Sequence, residues 1–185
     1  QAAMNIQVLN GYGIQRIITG CPHCFNTLRN EYPELGGQYE VMHHTQFIRE
    51  LIEQGKLRMA DGQPFKGKRI TFHDPCYLGR ANGEYLAPRE VIAKLDAELI
   101  EMRRCKQNAM CCGAGGAQMF KDAEKGNREV NVARTDDVLE TGAKVVATGC
   151  PFCNTMMTDG VKHAEREDIV VKDIAELIAE AADLV

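Results

Sequence analysis

A twelve-residue stretch occurs twice in this chain. Gly13-Ile14-Gln15-Arg16-Ile17-Ile18-Thr19-Gly20-Cys21-Pro22-His23-Cys24 lines up with Gly142-Ala143-Lys144-Val145-Val146-Ala147-Thr148-Gly149-Cys150-Pro151-Phe152-Cys153, at an offset of 129 residues. Each copy reads as an apolar strand ending at glycine, then a cysteine, then a proline that opens a helix. A short strand and a second helix follow each copy, and these second helices carry Glu50-Leu51-Ile52 and Glu176-Leu177-Ile178. A repeat of this kind predicts two related supersecondary units rather than one continuous fold.

β-rich runs at residues 16–19, 40–42, 69–72, 98–101, 144–147 and 169–171 alternate with helical patterns. The helical patterns fall near residues 25–31, 45–54, 88–95, 124–141, 154–164 and 173–184. Strands alternating with helices predict an α/β class with mainly parallel sheets. The run Asp61-Gly62-Gln63-Pro64 is the best linker candidate, dividing the chain into residues 1–64 and 65–185. Cys76 and Cys111-Cys112 lie upstream of the second copy, whereas twenty residues without cysteine precede the first. The first unit is therefore expected to be incomplete, and a start at Gln1 agrees with a piece of a longer chain.

The second unit holds five cysteines in one pattern. Cys76 is followed after 34 residues by Cys111-Cys112, and 37 residues later by Cys150-Pro151-Phe152-Cys153. A mononuclear zinc site needs four ligands, so five cysteines exceed one zinc. Vicinal cysteines fit a single tetrahedron poorly, because successive side chains diverge along the backbone. Soft thiolates in this number favour an iron–sulfur cluster or zinc over calcium or magnesium. At the N-caps of their helices, Cys21 and Cys150 would meet free N–H groups and the positive dipole end, which favour thiolate. Cys24 and Cys153 follow on the first turn. Gly113, Gly115 and Gly116 allow close backbone approach, so their amides are candidates to face sulfur. A phosphate loop is the competing reading of these glycines, but no Gly-Lys-Ser/Thr ending is present.

Cys-x34-Cys-Cys-Gly-x36-Cys-x-x-Cys, flanked by His73-Asp74-Pro75-Cys76 and Gly149-Cys150-Pro151, resembles the cysteine-rich "CCG" domain. That family includes the B-type and D-type subunits of heterodisulfide reductases and iron–sulfur subunits of glycerol-3-phosphate, lactate and succinate oxidoreductases. The resemblance implies a [4Fe–4S]-type cluster, in some members noncubane, held by Cys76, Cys111, Cys112, Cys150 and Cys153. It implies a second site completed by Cys21 and Cys24, at which some relatives hold zinc. It further implies an electron-transfer subunit of a heterodisulfide reductase-like oxidoreductase, passing electrons to a disulfide or quinone-type acceptor. The alternative is a structural zinc module that docks partners without redox activity.

No ferredoxin-type cysteine run and no flavin or nicotinamide fingerprint is visible, so electrons are expected from ferredoxin-type or flavoprotein subunits or domains. A membrane subunit is a further expected partner, and the isolated fragment is expected to form a homodimer. A net charge of −4 gives no footprint for nucleic acid. Eight cysteines without a visible signal peptide point to reduced thiols and a cytoplasmic setting, or a peripheral one on the cytoplasmic face of a membrane. His73 is a candidate donor to a cluster sulfur or to a substrate disulfide. The pair His43-His44 carries the same question. Cys105, outside the pattern, reads as a spare thiol, Met119 and Phe120 as core residues, and His163 as solvated.

Overall fold

A computed structural model describes residues 1–122 and 126–185, and every strand pairing among them is parallel. The α/β class follows directly. β1 (Arg16–Thr19) pairs with β2 (Glu40–His43) in a two-stranded sheet. β3 (Arg69–Phe72), β4 (Glu98–Leu99), β5 (Val145–Thr148) and β6 (Val170–Asp173) form a second sheet in the order β4-β3-β5-β6. The helices in chain order are α1 (Ala2–Gly11), α2 (Pro22–Asn26), α3 (His44–Glu53), α4 (Leu86–Ala93), α5 (Val130–Thr141), α6 (Pro151–His163) and α7 (Ile174–Ala181). No described helix is long and apolar enough to cross a membrane.

Alternation along the central strands divides the core in two. Ile70 and Phe72 of β3, with Val145 and Ala147 of β5, pack under Val91 and Ile92 of α4 and Ile174, Leu177 and Ile178 of α7. Val146 points the other way, against Val138 of α5 and Met157 and Val161 of α6. Both faces of the sheet are covered, which is why its central strands read as continuous apolar runs. Ile48 of α3, with Leu57 and Met59, packs against the first of these cores. The N-terminal segment thus leans on the core of the second unit.

The repeat is visible in the backbone. Cys21 and Cys150 are both extended N-cap residues with proline at the start of the helix that follows. Arg16 to Thr19 pair with Glu40 to His43, as Val145 to Thr148 pair with Val170 to Asp173. His43 and Asp173 then cap α3 and α7 through capping boxes with Gln46 and Glu176. The caps bring Gln46-Phe47-Ile48 into register with Glu176-Leu177-Ile178. The local match with Glu50-Leu51-Ile52 therefore lies one helical turn too far along. Counterparts also touch, as the ring of His23 meets that of Phe152 edge-on at 5.6 Å. Contact between equivalent residues is what a twofold relation gives.

Some expectations are corrected. Helix α5 begins at Val130, not near residue 124. Glu124 and Lys125, the start of the expected helix, lie outside the described residues. Phe120 is 75% exposed rather than a core residue, while Met119 does pack into the second core. Gly116 and Ala117 are both left-handed, at φ 67° and 61°, and this break takes Phe120 off the core-facing path. α1 precedes the first strand and has only Ile6 buried. His163 and the acidic turn at Glu165, Glu167 and Asp168 are exposed or half-exposed as expected.

Two predictions arise from packing. Gly160 lets α6 cross α5 closely: a Cβ there would collide with Thr135 Oγ1 and sit 3.0 Å from the Asn131 carbonyl oxygen. Gly160→Ala is expected to lower stability by about 1–3 kcal/mol through overpacking, despite alanine's better helix propensity. Thermal unfolding checks this, and an unchanged midpoint would refute the close crossing. The second concerns surface. Met4, Val8, Tyr12, Ile14, Ile18 and Leu35 are exposed on α1, around β1 and beyond α2. Apolar surface of this kind beside a two-stranded sheet favours association. Analytical ultracentrifugation of the isolated chain is expected to show self-association, and a monodisperse monomer would contradict it.

Candidate metal centre

β3 and β5 are the central strands, and the chain leaves them in opposite directions, to β4 and to β6. The crevice beyond the carboxyl ends of two such strands is where open α/β sheets build their sites. β3 runs out through His73, Asp74 and Pro75 to Cys76, and β5 runs out through Gly149 to Cys150. The amide of His73 bonds the Ala147 carbonyl at 3.0 Å and joins the two exits.

Seven thiols form a continuous series at this point. Cys76 lies beside Cys111, Cys111 beside Cys112, Cys112 beside Cys153, and Cys153 beside Cys150. Cys150 lies beside Cys21, which lies beside Cys24. Cys112, Cys150 and Cys153 are buried, and all eight cysteines are free thiols. Cys105 is absent from the series. Residues 129 positions apart in the sequence thus meet at Cys21 and Cys150. The pair Cys21 and Cys24 adjoins the five cysteines Cys76, Cys111, Cys112, Cys150 and Cys153 rather than standing apart from them.

Two thiols of the series, Cys111 and Cys150, are lowered by their neighbours. Hydrogen bonds from Cys112 and Cys76 hold Cys111 far below the usual thiol range, helped by the Gly113 amide at 3.3 Å. Cys150 is likewise low, because Cys153 and Cys21 donate to it and the amides of Cys153 and Phe152 face its sulfur. The donors move the other way: Cys112 is pushed to about 11, chiefly by its bond to Cys111. Cys76, Cys21 and Cys153 rise still further. A cation must displace these shared protons, so binding releases protons. Gly113, at φ +94°, is packed 3.1 Å from Val130 where a Cβ would stand, so only glycine fits. The amide of Ala114 faces Cys112. Gly115 and Gly116 lie on the exposed side of this turn.

The residues fit a thiolate-bound metal cluster. The donors are soft, clustered, buried at Cys112, Cys150 and Cys153, and backed by amide N–H groups. A ring nitrogen of His73 lies within 4.8 Å of the sulfurs of Cys112 and Cys153. His73 is buried, and burial together with the Arg134 charge lowers it to about 3. Arg134 Nε donates to His73 Nδ1 at 3.1 Å, and Arg134 Nη1 bonds Asp137 Oδ2 at 2.7 Å. Arg104 and Arg103 reach the same carboxylate at 2.7 and 3.1 Å. A line of charges therefore runs from the surface to Arg134, and His73 stands between it and the thiols. Asp74 is held on the opposite side by a two-pronged bond from Arg89, at 2.8 and 2.9 Å.

His43 and His44 tie the repeats together. His43 Nε2 bonds the Gly149 carbonyl at 3.0 Å, next to Cys150, and Nδ1 meets Thr45 Oγ1 at 2.8 Å. His44 Nε2 pairs with Asp173 at 2.9 Å. Arg134 and Asp137 were not legible as site residues. Charges three apart on a helix look like a surface pair.

The decisive comparison is with known families: the cysteine-rich CCG domain matches residues 1–29 and 70–158. The chain belongs to this family. It is 40% identical to an EtfAB:quinone oxidoreductase of Syntrophomonas wolfei over 98% of its own length and 26% of that protein. It is 44% identical to a probable iron–sulfur-binding oxidoreductase of Bacillus subtilis, over 97% of this chain and 25% of the relative. It is 38% identical to the D-type subunit of a dihydromethanophenazine:CoB–CoM heterodisulfide reductase from Methanosarcina barkeri, over 99% of this chain and 44% of the relative. The chain therefore spans less than half the length of these relatives.

Proposed function

We propose that this chain is the iron–sulfur portion of a heterodisulfide reductase-like oxidoreductase and relays electrons to a disulfide or quinone-type acceptor. The observation that carries the reading is the unbroken run of thiols at the carboxyl ends of β3 and β5. The family supports it, as do relatives named for iron–sulfur binding, quinone reduction and heterodisulfide reduction.

In this reading Cys76, Cys111, Cys112, Cys150 and Cys153 hold a [4Fe–4S]-type cluster, cubane or noncubane. When bound, such a cluster supplies one-electron redox chemistry at thiolate-ligated iron. The protein's own part is to present deprotonated sulfur, to aim the amides of Gly113, Ala114, Phe152 and Cys153 at it, and to keep water from its buried side. Hydrogen bonds and burial of this kind set the potential at which electrons pass. Cys21 and Cys24 serve a second metal position adjoining the first, taking iron or zinc. Residues 1–64 are then the later part of one cysteine-rich unit, and residues 65–185 are a second, complete one. Flavoprotein or ferredoxin-type segments or subunits supply the electrons, at the cytoplasmic face of a membrane in complexes with a membrane subunit.

The test is a redox cycle. Anaerobically reconstituted protein, reduced by a one-electron viologen donor, is expected to show a paramagnetic signal that disappears when a disulfide or a quinone is added. Iron-loaded protein that neither reductant nor acceptor can cycle would overturn the proposal.

A further inference from the structure

His73 stands at the thiols with one nitrogen committed and one free. Its Nδ1 meets Arg134 Nε at 3.1 Å, and its Nε2 is buried without a partner among the described residues. The ring lies in one group with Cys112 and Cys153, its ligand nitrogen and their sulfurs within 4.8 Å of one another. Burial of an unpartnered polar atom is costly, so such an atom in a native core calls for a function or a missing partner.

The chemistry of Arg134 decides which. A guanidinium has only donors and keeps its charge in proteins. The Nδ1 that faces it must therefore present a lone pair, and the ring proton then resides on Nε2. A metal-ligating histidine has the opposite arrangement, because its second nitrogen generally donates to a carboxylate, a carbonyl or water. His43 shows that contrast in this chain: its Nε2 is satisfied by the Gly149 carbonyl. The Arg134 side chain is itself fixed, since Nη1 bonds Asp137 and the Arg104 carbonyl, each at 2.7 Å.

We propose that His73 is not a metal ligand but an N–H donor to sulfur at the Cys112 and Cys153 end of the centre, with its tautomer set by Arg134. The role rests on the iron–sulfur reading above. A hydrogen bond to cluster sulfur favours the more negative, reduced state and raises the reduction potential. Arg134, held by Asp137, is the positioning residue behind it.

Three measurements test this on the full chain. Nitrogen-15 histidine NMR of the metal-free protein is expected to find His73 neutral with the proton on Nε2, and a proton on Nδ1 would overturn the assignment. This result does not depend on iron: failure to bind iron would sink the function proposed above and leave the tautomer test to decide. In iron-loaded protein, His73→Leu is expected to keep its full iron content while its reduction potential moves negative. His73→Gln, which restores an N–H donor, should move it back. An unchanged potential in a fully loaded His73→Leu variant would contradict the donor role. Pulsed electron–nuclear resonance on nitrogen-15 histidine wild type guards against a misfolded variant: weak coupling through a hydrogen bond is expected, and the strong coupling of a directly ligated nitrogen, or none, would contradict it.

Discussion

Cys112→Ala and Cys153→Ala are each expected to abolish the cluster signal, while Cys105→Ala leaves it intact. Cys112 and Cys153 are each only 3% exposed, and each lies beside two neighbouring thiols. Their link joins the Cys76–Cys111 side of the array to the Cys150–Cys21 side. Either alanine would cut the series and leave a buried apolar methyl where a metal needs charge. Changing a partner outside the ligand set typically costs about 10–100-fold in metal affinity, so loss of a ligand should cost more. Cys105 has no thiol neighbour in the series with which to share a metal. Iron content and paramagnetic resonance of the three variants decide the matter. A Cys112→Ala protein with an unchanged signal would remove Cys112 from the ligands.

Asp137→Ala is expected to destabilise the fold by about 3–5 kcal/mol, the range for removing one partner of a buried ion pair. Its carboxylate meets Arg104, Arg103 and Arg134, and both it and Arg134 are fully buried. Without it, Arg104 and Arg134 lose their ion-pair partner, Arg103 keeps only Glu140 at 3.6 Å, and Arg134 has no access to water. Burial alone would raise this carboxyl, but hydrogen bonds from Arg104, Arg134 and Arg103 outweigh burial and hold it low. A depressed carboxyl contributes its stabilisation above the unfolded value of about 3.9, and loses it as pH falls through the lower folded value. The gap between wild type and variant should therefore be constant from neutral pH to about pH 4 and shrink in stronger acid. At about 2–4 °C per kcal/mol for a chain of this size, the midpoint should fall by roughly 6–20 °C. Thermal unfolding of metal-free protein checks this, and a shift of under about 2 °C would mean that the arginines find water or another partner.

The alternation of strands and helices was legible because the strands are compact β-branched runs and proline marks the start of α2 and of α6. Both cysteine N-caps followed from that local grammar. Long-range convergence was not legible. Nothing in the spacing of Cys21 and Cys150 says that their sulfurs meet, because that contact depends on how β1 and β5 are placed by separate sheets. The register of α3 against α7 escapes a sequence reading for a related reason: Glu-Leu-Ile occurs in both helices, but the caps His43 and Asp173 set the true correspondence. Burial of Arg134 and Asp137 depends on α5 packing against the exit of β3, and an isolated helix pattern carries no mark of that.

The most direct test of the account is the metal itself. Protein purified without oxygen, then assayed for iron, acid-labile sulfide and zinc, is expected to be brown, to absorb near about 400 nm, and to hold about four irons with matching sulfide. Colourless protein with about one zinc per four thiolates and no sulfide would contradict an iron–sulfur centre in this chain.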